Sequence, residues 1–248
     1  MKIATWNVNG IRARHAQLEE WIARDHPDIV CLQEIKASAD QVPVSLFGMQ
    51  DYWCYWHGEK AYSGVALHVS KSFKAECPAC SHPEFNFENR IAAVELGDLT
   101  VASVYVPNGG KDYPAKLRFL EALDAYAESF QKTGRRLVLC GDLNVAIADR
   151  DVHAKERKAK AIGQQPEERE LMNRILSRGL VDVQRQVYPD KDDVFTWWPP
   201  WREMRKRNIG WRIDYIFAST ALAATVNSCP VLSEVGTSDH APVMATFE

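Results

Sequence analysis

The sequence lacks both a long apolar run and an excess of basic residues. No segment approaches the roughly 18 consecutive apolar residues that a membrane span requires, and the chain starts with a predicted strand instead of the apolar core of a signal peptide. We therefore expect a cytoplasmic protein that has no membrane partner. Its 30 basic and 33 acidic residues give a formal net charge of −3, so any binding to an anionic polymer must depend on local patches of charge.

The sequence also offers little support for a disulfide or zinc framework. The six cysteines are scattered along the chain, and in the cytoplasm their thiols are expected to be reduced. Cys77 and Cys80 match the C-x-x-C spacing with His82 close by, which leaves a redox or metal-binding role open. There is no second C-x-x-C and no βαβ pattern around this one, so we expect an ordinary pair of thiols.

Length and apolar content predict one large α/β domain over residues 1–248. Of the 248 residues 46% are apolar, and no low-complexity linker or short-period repeat interrupts them. Strand patterns fall near residues 2–7, 28–33, 52–57, 63–69, 91–96, 100–106, 136–141, 213–218 and 242–247, and helix patterns cover 13–26, 114–132 and 166–178. A helix, a strand and then a carboxylate follow one another in both halves. This repetition predicts two similar sheets packed face to face with helices outside.

Acidic and amide side chains stand at the ends of three predicted strands. Glu34 follows the run at 28–33, Asp142 and Asn144 follow the run at 136–141, and Asp239 and His240 precede the last strand. Apolar runs without polar alternation are typical of strands covered on both faces, and groups at their ends face a common crevice. Two carboxylates about 4 Å apart would repel by roughly 4 kcal/mol at an effective dielectric constant near 20. A cation is therefore expected among them, and oxygen ligands favour Mg²⁺ or Mn²⁺ over zinc.

The first strand leads into an amide-rich turn that strengthens this interpretation. Asn7 stands where it can orient a metal ligand or a phosphate oxygen. The alternative for any one of these residues alone is an ordinary strand-end polar group that satisfies a turn. Several such ends together favour a site.

Two long segments lack a core pattern. Residues 149–165 carry several lysines and arginines, and a solvated charged face is the simpler interpretation of that segment. Residues 197–212, which we call the tryptophan arm, place five basic residues among four tryptophans. Exposing so much aromatic surface is unfavourable unless it packs or meets a partner. Cations interleaved with aromatics are suited to holding phosphates and stacking on bases.

The chain resembles the exonuclease III and apurinic/apyrimidinic endonuclease family, within the larger endonuclease/exonuclease/phosphatase superfamily. The resemblance covers essentially the whole chain, and its motifs occur in family order: Trp6-Asn7-Val8-Asn9-Gly10, Leu32-Gln33-Glu34, Tyr62-Ser63-Gly64-Val65, Tyr105-Val106-Pro107-Asn108, Gly141-Asp142-Leu143-Asn144, Pro166-Glu167-Glu168-Arg169, Gly210-Trp211-Arg212-Ile213-Asp214-Tyr215 and Ser238-Asp239-His240. It implies a four-layer α/β sandwich of two mixed sheets flanked by helices. It also implies Mg²⁺- or Mn²⁺-dependent cleavage of phosphodiesters in double-stranded DNA.

The resemblance also implies roles for individual residues. Glu34 would be the principal metal ligand, and the residues that help it or also approach the metal would be Asn7, Asn9, Asp239, Asp142, Asn144 and His240. Asp142 would deprotonate the attacking water, with Asn144 holding the water or the phosphate. His240, supported by Asp214, would hydrogen-bond a phosphate oxygen, and Tyr105 and Asn108 would lie beside the scissile group. Such chemistry depends on positioning and charge stabilisation rather than on a covalent nucleophile.

DNA contacts are expected from aromatic and cationic residues. By family position Trp197, Trp211 and Ile213 would line the pocket for an extruded abasic sugar, although a core role for Trp211 stays open. The cations expected to contact DNA are Arg90, Lys111, Arg205, Lys206, Arg207 and Arg212.

The sequence departs from the family pattern in two places. Asn9 stands where many relatives have aspartate, which removes a negative charge near the metal. Lys158 and Ala161 lie in a loop where relatives often carry asparagines that contact phosphate or hold water. These departures bear on the balance of activities more than on the chemistry.

The leading hypothesis is a monomeric DNA-repair nuclease that incises on the 5′ side of abasic sites, trims blocked 3′ ends and digests DNA in the 3′ to 5′ direction. One alternative is a phosphodiesterase of the same superfamily that acts on RNA or on a phosphorylated lipid or small molecule; the tryptophan arm favours DNA. Another is a DNA-damage binding module without turnover, which the intact set of acidic and histidine residues disfavours.

Overall fold

Two six-stranded sheets form the centre of the protein, whose computed structural model describes residues 1–47 and 49–248. With strands numbered along the chain, the first sheet has the order β11-β12-β1-β2-β4-β3 and consists of β1 (Lys2–Asn7), β2 (Ile29–Gln33), β3 (Tyr52–Glu59), β4 (Tyr62–Ser70), β11 (Val226–Ser228) and β12 (Val243–Phe247). The second has the order β5-β6-β7-β8-β10-β9 and consists of β5 (Cys80–Ser81), β6 (Ile91–Leu96), β7 (Leu99–Tyr105), β8 (Arg136–Asp142), β9 (Leu180–Asp182) and β10 (Asp214–Ser219). Both sheets mix parallel and antiparallel pairs.

Three long helices and several short ones connect the strands. The helices are α1 (Ile11–Asp25), α2 (Val44–Phe47), α3 (Tyr113–Thr133), α4 (Pro166–Ser177), α5 (Val183–Val187) and α6 (Thr220–Ala223). The side chain of Asp112 caps α3 by accepting a hydrogen bond from the Ala115 amide at 2.9 Å, and Gly134 ends that helix in a left-handed conformation. Within the described residues, none of the helices has the length and apolarity to cross a membrane.

Apolar side chains separate the protein into four layers. Between the sheets, Val65 and Leu67 of the first pack in one cluster with Val101 and Val138 of the second. On the outer faces, α1 covers the first sheet, while α3 and α4 cover the second through the residues Phe119, Leu123, Met172 and Ile175. These layers confirm the predicted α/β sandwich of two mixed sheets with helices outside. The prediction holds because a strand that is apolar at every position is stable only when both of its faces are covered.

Most predicted elements occur within one or two residues of their expected bounds. The long helix predicted for 13–26 begins earlier, at Ile11, and ends at Asp25. The strands β5, β9 and β11 were not predicted, because two or three residues are too few to show a period. The six cysteines are free thiols, three of them buried; Cys80 begins the edge strand β5, and Cys77 precedes that strand.

Strand register brings the polar strand ends to one end of the sandwich. Asn7 pairs with Gln33 where β1 and β2 end, directly before Glu34. In the second sheet, Asp142 pairs with Tyr105 on one side and with Asp214 on the other. These pairings fix the positions of the side chains that form the site below.

Candidate active site

Glu34, Asp142 and His240 converge where the two sheets end. Each offers a ligand atom, and these atoms all lie within 4.8 Å of one another. Asp142 is 1% exposed and His240 is 4% exposed, so their charges are shielded poorly by water. The strand-end groups predicted to meet in one crevice do meet there.

Amide and phenol donors hold the two carboxylates in place. Asn7 Nδ2 donates to Glu34 Oε1 at 3.0 Å and to Asp142 Oδ2 at 2.9 Å, which links the two sheets through one side chain. The Tyr105 hydroxyl donates to Glu34 Oε1 at 2.8 Å. Burial and the neighbouring Glu34 carboxylate raise the pKa of Tyr105 well above its usual value, so the phenol keeps its proton and remains a donor.

A histidine and a second aspartate lie on the other side of Asp142. His240 Nδ1 is 2.9 Å from Asp214 Oδ2, which leaves Nε2 facing Asp142 Oδ2 at 3.8 Å. The Asn144 backbone amide donates to Asp142 Oδ1 at 3.0 Å, and its side chain reaches the Val106 carbonyl at 2.9 Å. The imidazole is therefore oriented by one aspartate and presents its free nitrogen to the other.

Electrostatics in this cluster favour a charged histidine beside a carboxylate of weakened acidity. Burial would lower the pKa of His240, but the carboxylates of Asp214 and Asp142 outweigh it and raise that pKa to about 10. Burial and the negative charges of Asp214 and Glu34 raise the pKa of Asp142 to about 7, against the opposing effect of His240. These shifts favour the charged, proton-donating form of the imidazole, and they let the Asp142 carboxyl take up a proton more readily than an ordinary aspartate does.

A lysine that the sequence did not single out lies among the oxygen donors. Lys36 Nζ is 2.7 Å from Glu34 Oε2 and 2.6 Å from Asn9 Oδ1, while Asn9 Nδ2 donates to Asp239 Oδ1 at 2.8 Å. Although burial opposes it, hydrogen bonds from Asn7 and Lys36 hold the pKa of Glu34 below its usual value. This ammonium group partly balances the negative charge of the cluster. Its carboxylate and amide oxygens suit a hard divalent ion.

Aromatic and apolar side chains wall the cavity above these groups. The cavity measures about 410 Å³, and its walls include Trp197, Trp211, Ile213 and Asn108. The two indole rings meet edge to face at 5.9 Å, and Trp197 Nε1 donates to Asp239 Oδ2 at 2.9 Å. Trp197, Trp211 and Ile213 therefore line the cavity beside the carboxylate cluster, and their contact with an extruded sugar stays a prediction.

Two arginines expected to contact DNA are instead buried and paired inside the protein, so their side chains offer little surface to a phosphate. Arg212 is 2% exposed, and its guanidinium binds Asp151 at 2.8 Å and Asp182 at 2.7 Å. Arg90 is 3% exposed, pairs with Glu88 at 2.8 Å and lies 4.5 Å from the centroid of the Tyr105 ring. Both guanidinium groups form ion pairs inside the protein. The sequence could not reveal this, because it shows that a residue is charged but not whether its side chain faces solvent or the interior.

The other cations expected to contact DNA differ in their exposure to solvent and in their pairing with other groups of the protein. Arg205 is half-buried, stacks on Trp198 at 4.8 Å and donates to the Ser238 and Ser233 carbonyls, so it holds the tryptophan arm onto the protein. Lys206 is exposed but pairs with Glu203 at 2.6 Å. Arg207 and Lys111 are exposed, and neither has an ion-pair partner within residues 1–47 and 49–248.

A buried ion pair that the sequence did not reveal lies behind the site. Lys116 and Glu168 are both 0% exposed. Lys116 falls on the apolar stripe of α3 with Phe119, Leu120 and Leu123, so a cation at a core position was the signal that could have found it. Glu168 belongs to one of the family motifs, but that motif alone says nothing about its partner.

Comparison with known proteins agrees with the geometry. Residues 4–240 match the Endonuclease/Exonuclease/phosphatase family. An exodeoxyribonuclease of Bacillus subtilis is 34% identical, and the match covers 98% of this chain and 98% of the relative. An AP endonuclease from Archaeoglobus fulgidus superposes with a TM-score of 0.88 at 32% identity over 100% of this chain and 99% of that one. A 3′ phosphatase, NExo, from Neisseria, bound to a product DNA hairpin, superposes with a TM-score of 0.90 at 33% identity, again over 100% and 99% of the two chains. The protein therefore belongs to the endonuclease/exonuclease/phosphatase family and, within it, to the exonuclease III and apurinic/apyrimidinic endonuclease group of DNA-repair nucleases.

Proposed function

We propose that this enzyme hydrolyses phosphodiesters in double-stranded DNA with the help of Mg²⁺ or Mn²⁺. Its reactions would be incision on the 5′ side of abasic sites, removal of blocked 3′ ends and digestion from 3′ to 5′. The observation that carries this proposal is the meeting of Glu34, Asp142 and His240 within 4.8 Å at the base of a cavity walled by Trp197 and Trp211. Relatives that share the fold over the full chain are named for DNA and for abasic sites, which supports the choice of substrate.

Metal binding is assigned to the side of the site nearest Lys36. Glu34, Asn9 and Asp239 would hold the ion, with Asn7 orienting the Glu34 carboxylate. A bound ion supplies Lewis-acid stabilisation of charge that develops on phosphate oxygens. Asp142 and His240, whose ligand atoms lie within 4.8 Å of one another and of Glu34, would be further candidate ligands together with Asn144. Metal titration of their variants separates that role from a role in the chemical step.

Proton transfer is assigned to Asp142 and charge stabilisation to His240. The Asp142 carboxylate accepts a proton from the attacking water, while the Asn144 amide fixes the direction of its lone pairs. His240 Nε2 donates to a phosphate oxygen, since Nδ1 is bound to Asp214. Tyr105 and Asn108 line the same cavity and are assigned positions beside the scissile group.

Damaged duplex DNA is the proposed partner, and the aromatic walls are assigned to the extruded sugar. A sugar extruded from the duplex needs a pocket that encloses it, and Trp197, Trp211 and Ile213 would form the apolar walls of that pocket. Lys111 and Arg207 are assigned to phosphates because they are exposed cations. Three further points remain predictions: that the protein acts as a monomer, that residues 1–248 form a single domain, and that it works in the cytoplasm.

One duplex that carries both an abasic site and a recessed 3′ end tests the proposal. The purified enzyme should cut at both positions in Mg²⁺ or Mn²⁺ and at neither in EDTA, because the carboxylate cluster needs a counter-charge. Glu34→Gln should require a higher metal concentration for half-maximal rate. The matched control is Glu76→Gln, whose side chain is 91% exposed and should leave the metal requirement unchanged. Full activity in EDTA would refute the metal site, and cleavage of RNA or a phosphorylated small molecule in preference to the duplex would refute the substrate.

A further inference from the structure

The buried pair of Lys116 and Glu168 connects helices α3 and α4 directly behind the active site. Lys116 Nζ lies 2.5 Å from Glu168 Oε1, and neither side chain is exposed. Removing two charges from water is unfavourable, and apolar residues of similar volume often hold helices together as well or better. A requirement other than helix packing is needed to explain charges at this position.

The remaining protons of Lys116 are directed at two loops that carry site residues. The ammonium donates to the Asn144 carbonyl at 2.7 Å and approaches the Asn108 carbonyl at 3.4 Å. Asn144 has a left-handed backbone with φ of 51°, which is unfavourable without support. Its amide in turn donates to Asp142 Oδ1, so the lysine reaches Asp142 through one residue.

Glu168 binds a third loop on the other side of the pair. Its carboxylate accepts from the Gly163 amide at 2.7 Å and from the Gln165 amide at 2.9 Å. The neighbouring Ile162 lines the active-site cavity. A Cβ placed on Gly109 would lie 3.0 Å from the Lys116 side chain and 3.1 Å from Ile162, which shows how closely the loops meet around the lysine.

We propose that Lys116 and Glu168 are positioning residues that set the three loops around the active-site cavity in their reactive arrangement. The three N–H groups of Lys116 have acceptors in two of those loops, the Asn108 and Asn144 carbonyls, and in α4, the Glu168 carboxylate. It holds Asn144, and through it Asp142, without touching the substrate. The effect on catalysis rests on the proposed role of Asp142, but the effect on loop geometry does not.

The same two helices provide a matched control. About two turns further along α3, Asp124 joins this helix to α4 and to Arg178, the residue after α4, and binds Arg178 at 2.9 Å and Arg174 at 3.0 Å. That cluster also bridges the two helices but has no bond to the loops around the cavity. Arg178→Met should therefore weaken the packing of the helices and leave the site unchanged.

The test compares Lys116→Met, Glu168→Gln and Arg178→Met with the wild-type enzyme. Backbone amide resonances of Asn144, Gly163 and Gly109 in the metal-free proteins should shift in the first two variants and stay in place in Arg178→Met. In steady-state cleavage of the abasic duplex, kcat should fall by about 10- to 100-fold in the first two, as expected for misplaced groups. KM for DNA and the metal concentration for half-maximal rate should change by less than about threefold.

Three results would overturn the proposal. Unchanged loop resonances in folded Lys116→Met would show that the pair does not position the loops, whatever the reaction proves to be. An equal fall of kcat in Arg178→Met would reduce the pair to a packing role. A wild-type kcat in Glu168→Gln would do the same, and this nearly isosteric variant carries the test if Lys116→Met does not fold. A wild-type enzyme that does not cut the duplex would refute the proposed function while leaving the resonance test decisive.

Discussion

Replacing Arg212 should destabilise the protein and leave its affinity for DNA unchanged. This arginine belongs to a basic, tryptophan-rich segment, but in the structure its guanidinium lies between the carboxylates of Asp151 and Asp182 at 2.8 and 2.7 Å. Its backbone amide also donates to the Asp151 carbonyl at 2.7 Å. Its side chain therefore has no surface to offer to a phosphate.

The size of the effect follows from what Arg212→Met would leave behind. Removing one partner of a buried ion pair typically costs about 3–5 kcal/mol, since the other charge stays buried. Here Asp151 would retain Arg185 at 2.5 Å, so we expect the lower end of that range. About 3 kcal/mol in a chain of 248 residues corresponds to a Tm lowered by roughly 6–12 °C.

The exposed Arg207 provides a control, because its replacement should change DNA binding and leave the stability of the protein unchanged. Arg207→Met should leave Tm within about 2 °C, because surface substitutions change stability by less than about 0.5 kcal/mol. If Arg207 contacts a phosphate, its loss should reduce the slope of log K against log salt concentration by about 0.9. Thermal melts and duplex binding at several salt concentrations, measured well below the lowered Tm, give both quantities for both variants.

Two outcomes would refute this reasoning. A wild-type Tm in Arg212→Met, together with a reduced salt slope, would mean that the guanidinium faces DNA rather than Asp151. A lowered Tm in both variants would mean that the tryptophan arm packs as a unit and that exposure alone does not identify its DNA contacts.

Three further predictions follow from the site and the core. Asp142→Asn and His240→Ala should each lower kcat by at least about 10²-fold in single-turnover cleavage, while duplex binding by fluorescence anisotropy persists; near-native turnover would remove that residue from the chemical step. If Trp211 walls the pocket for an extruded sugar, as proposed, Trp211→Ala should reduce abasic incision more than exonuclease digestion on the two-site duplex; equal losses would assign the ring to the core. Burial lowers the pKa of His68 to about 4, so the folded state keeps this imidazole neutral while the unfolded chain takes up a proton below pH about 6.5. Stability should then fall as the pH drops from about 6.5 to 4, by about 3 kcal/mol in urea unfolding, and His68→Leu should lose this part of the pH dependence.

Local rules were enough to predict the core of the site. Glu34 and Asp142 follow apolar runs that must be buried, and residues at the ends of buried strands share one crevice. The pairing of Asp142 with Asp214 was not visible from those runs, because it depends on the antiparallel register of β8 and β10. The family motifs identified Asp214 and His240 as residues of the site, and the structure shows how far apart they lie.

Long-range charge pairing could not be predicted from the sequence. Arg212 and Asp151 are separated by 61 positions, and Lys116 and Glu168 belong to different helices. A basic residue in a polar segment can face water or an internal carboxylate, and only tertiary packing decides between them. For this reason the tryptophan arm contributes fewer free cations than its composition indicated. The formal net charge of −3 does not show that some of the positive side chains are paired with buried carboxylates.

Backbone conformation adds a constraint on the site that composition could not reveal. Asn9, Glu34, Lys36 and Asn144 all adopt left-handed conformations with φ between 44° and 51°. For residues other than glycine such a conformation costs on the order of 1 kcal/mol or more, and it persists only where surrounding bonds enforce it. The Glu34 and Lys36 segment is held in this way, because the Ile35 and Lys36 amides donate to the Gly64 and Ser63 carbonyls at 3.2 and 2.9 Å. Glycine would fit these dihedral angles better, but it has no carboxylate, ammonium or amide to offer. These side chains are used within the site, since Lys36 binds both Glu34 and Asn9 and the Asn144 side chain donates to the Val106 carbonyl, and glycine at these positions would remove those bonds.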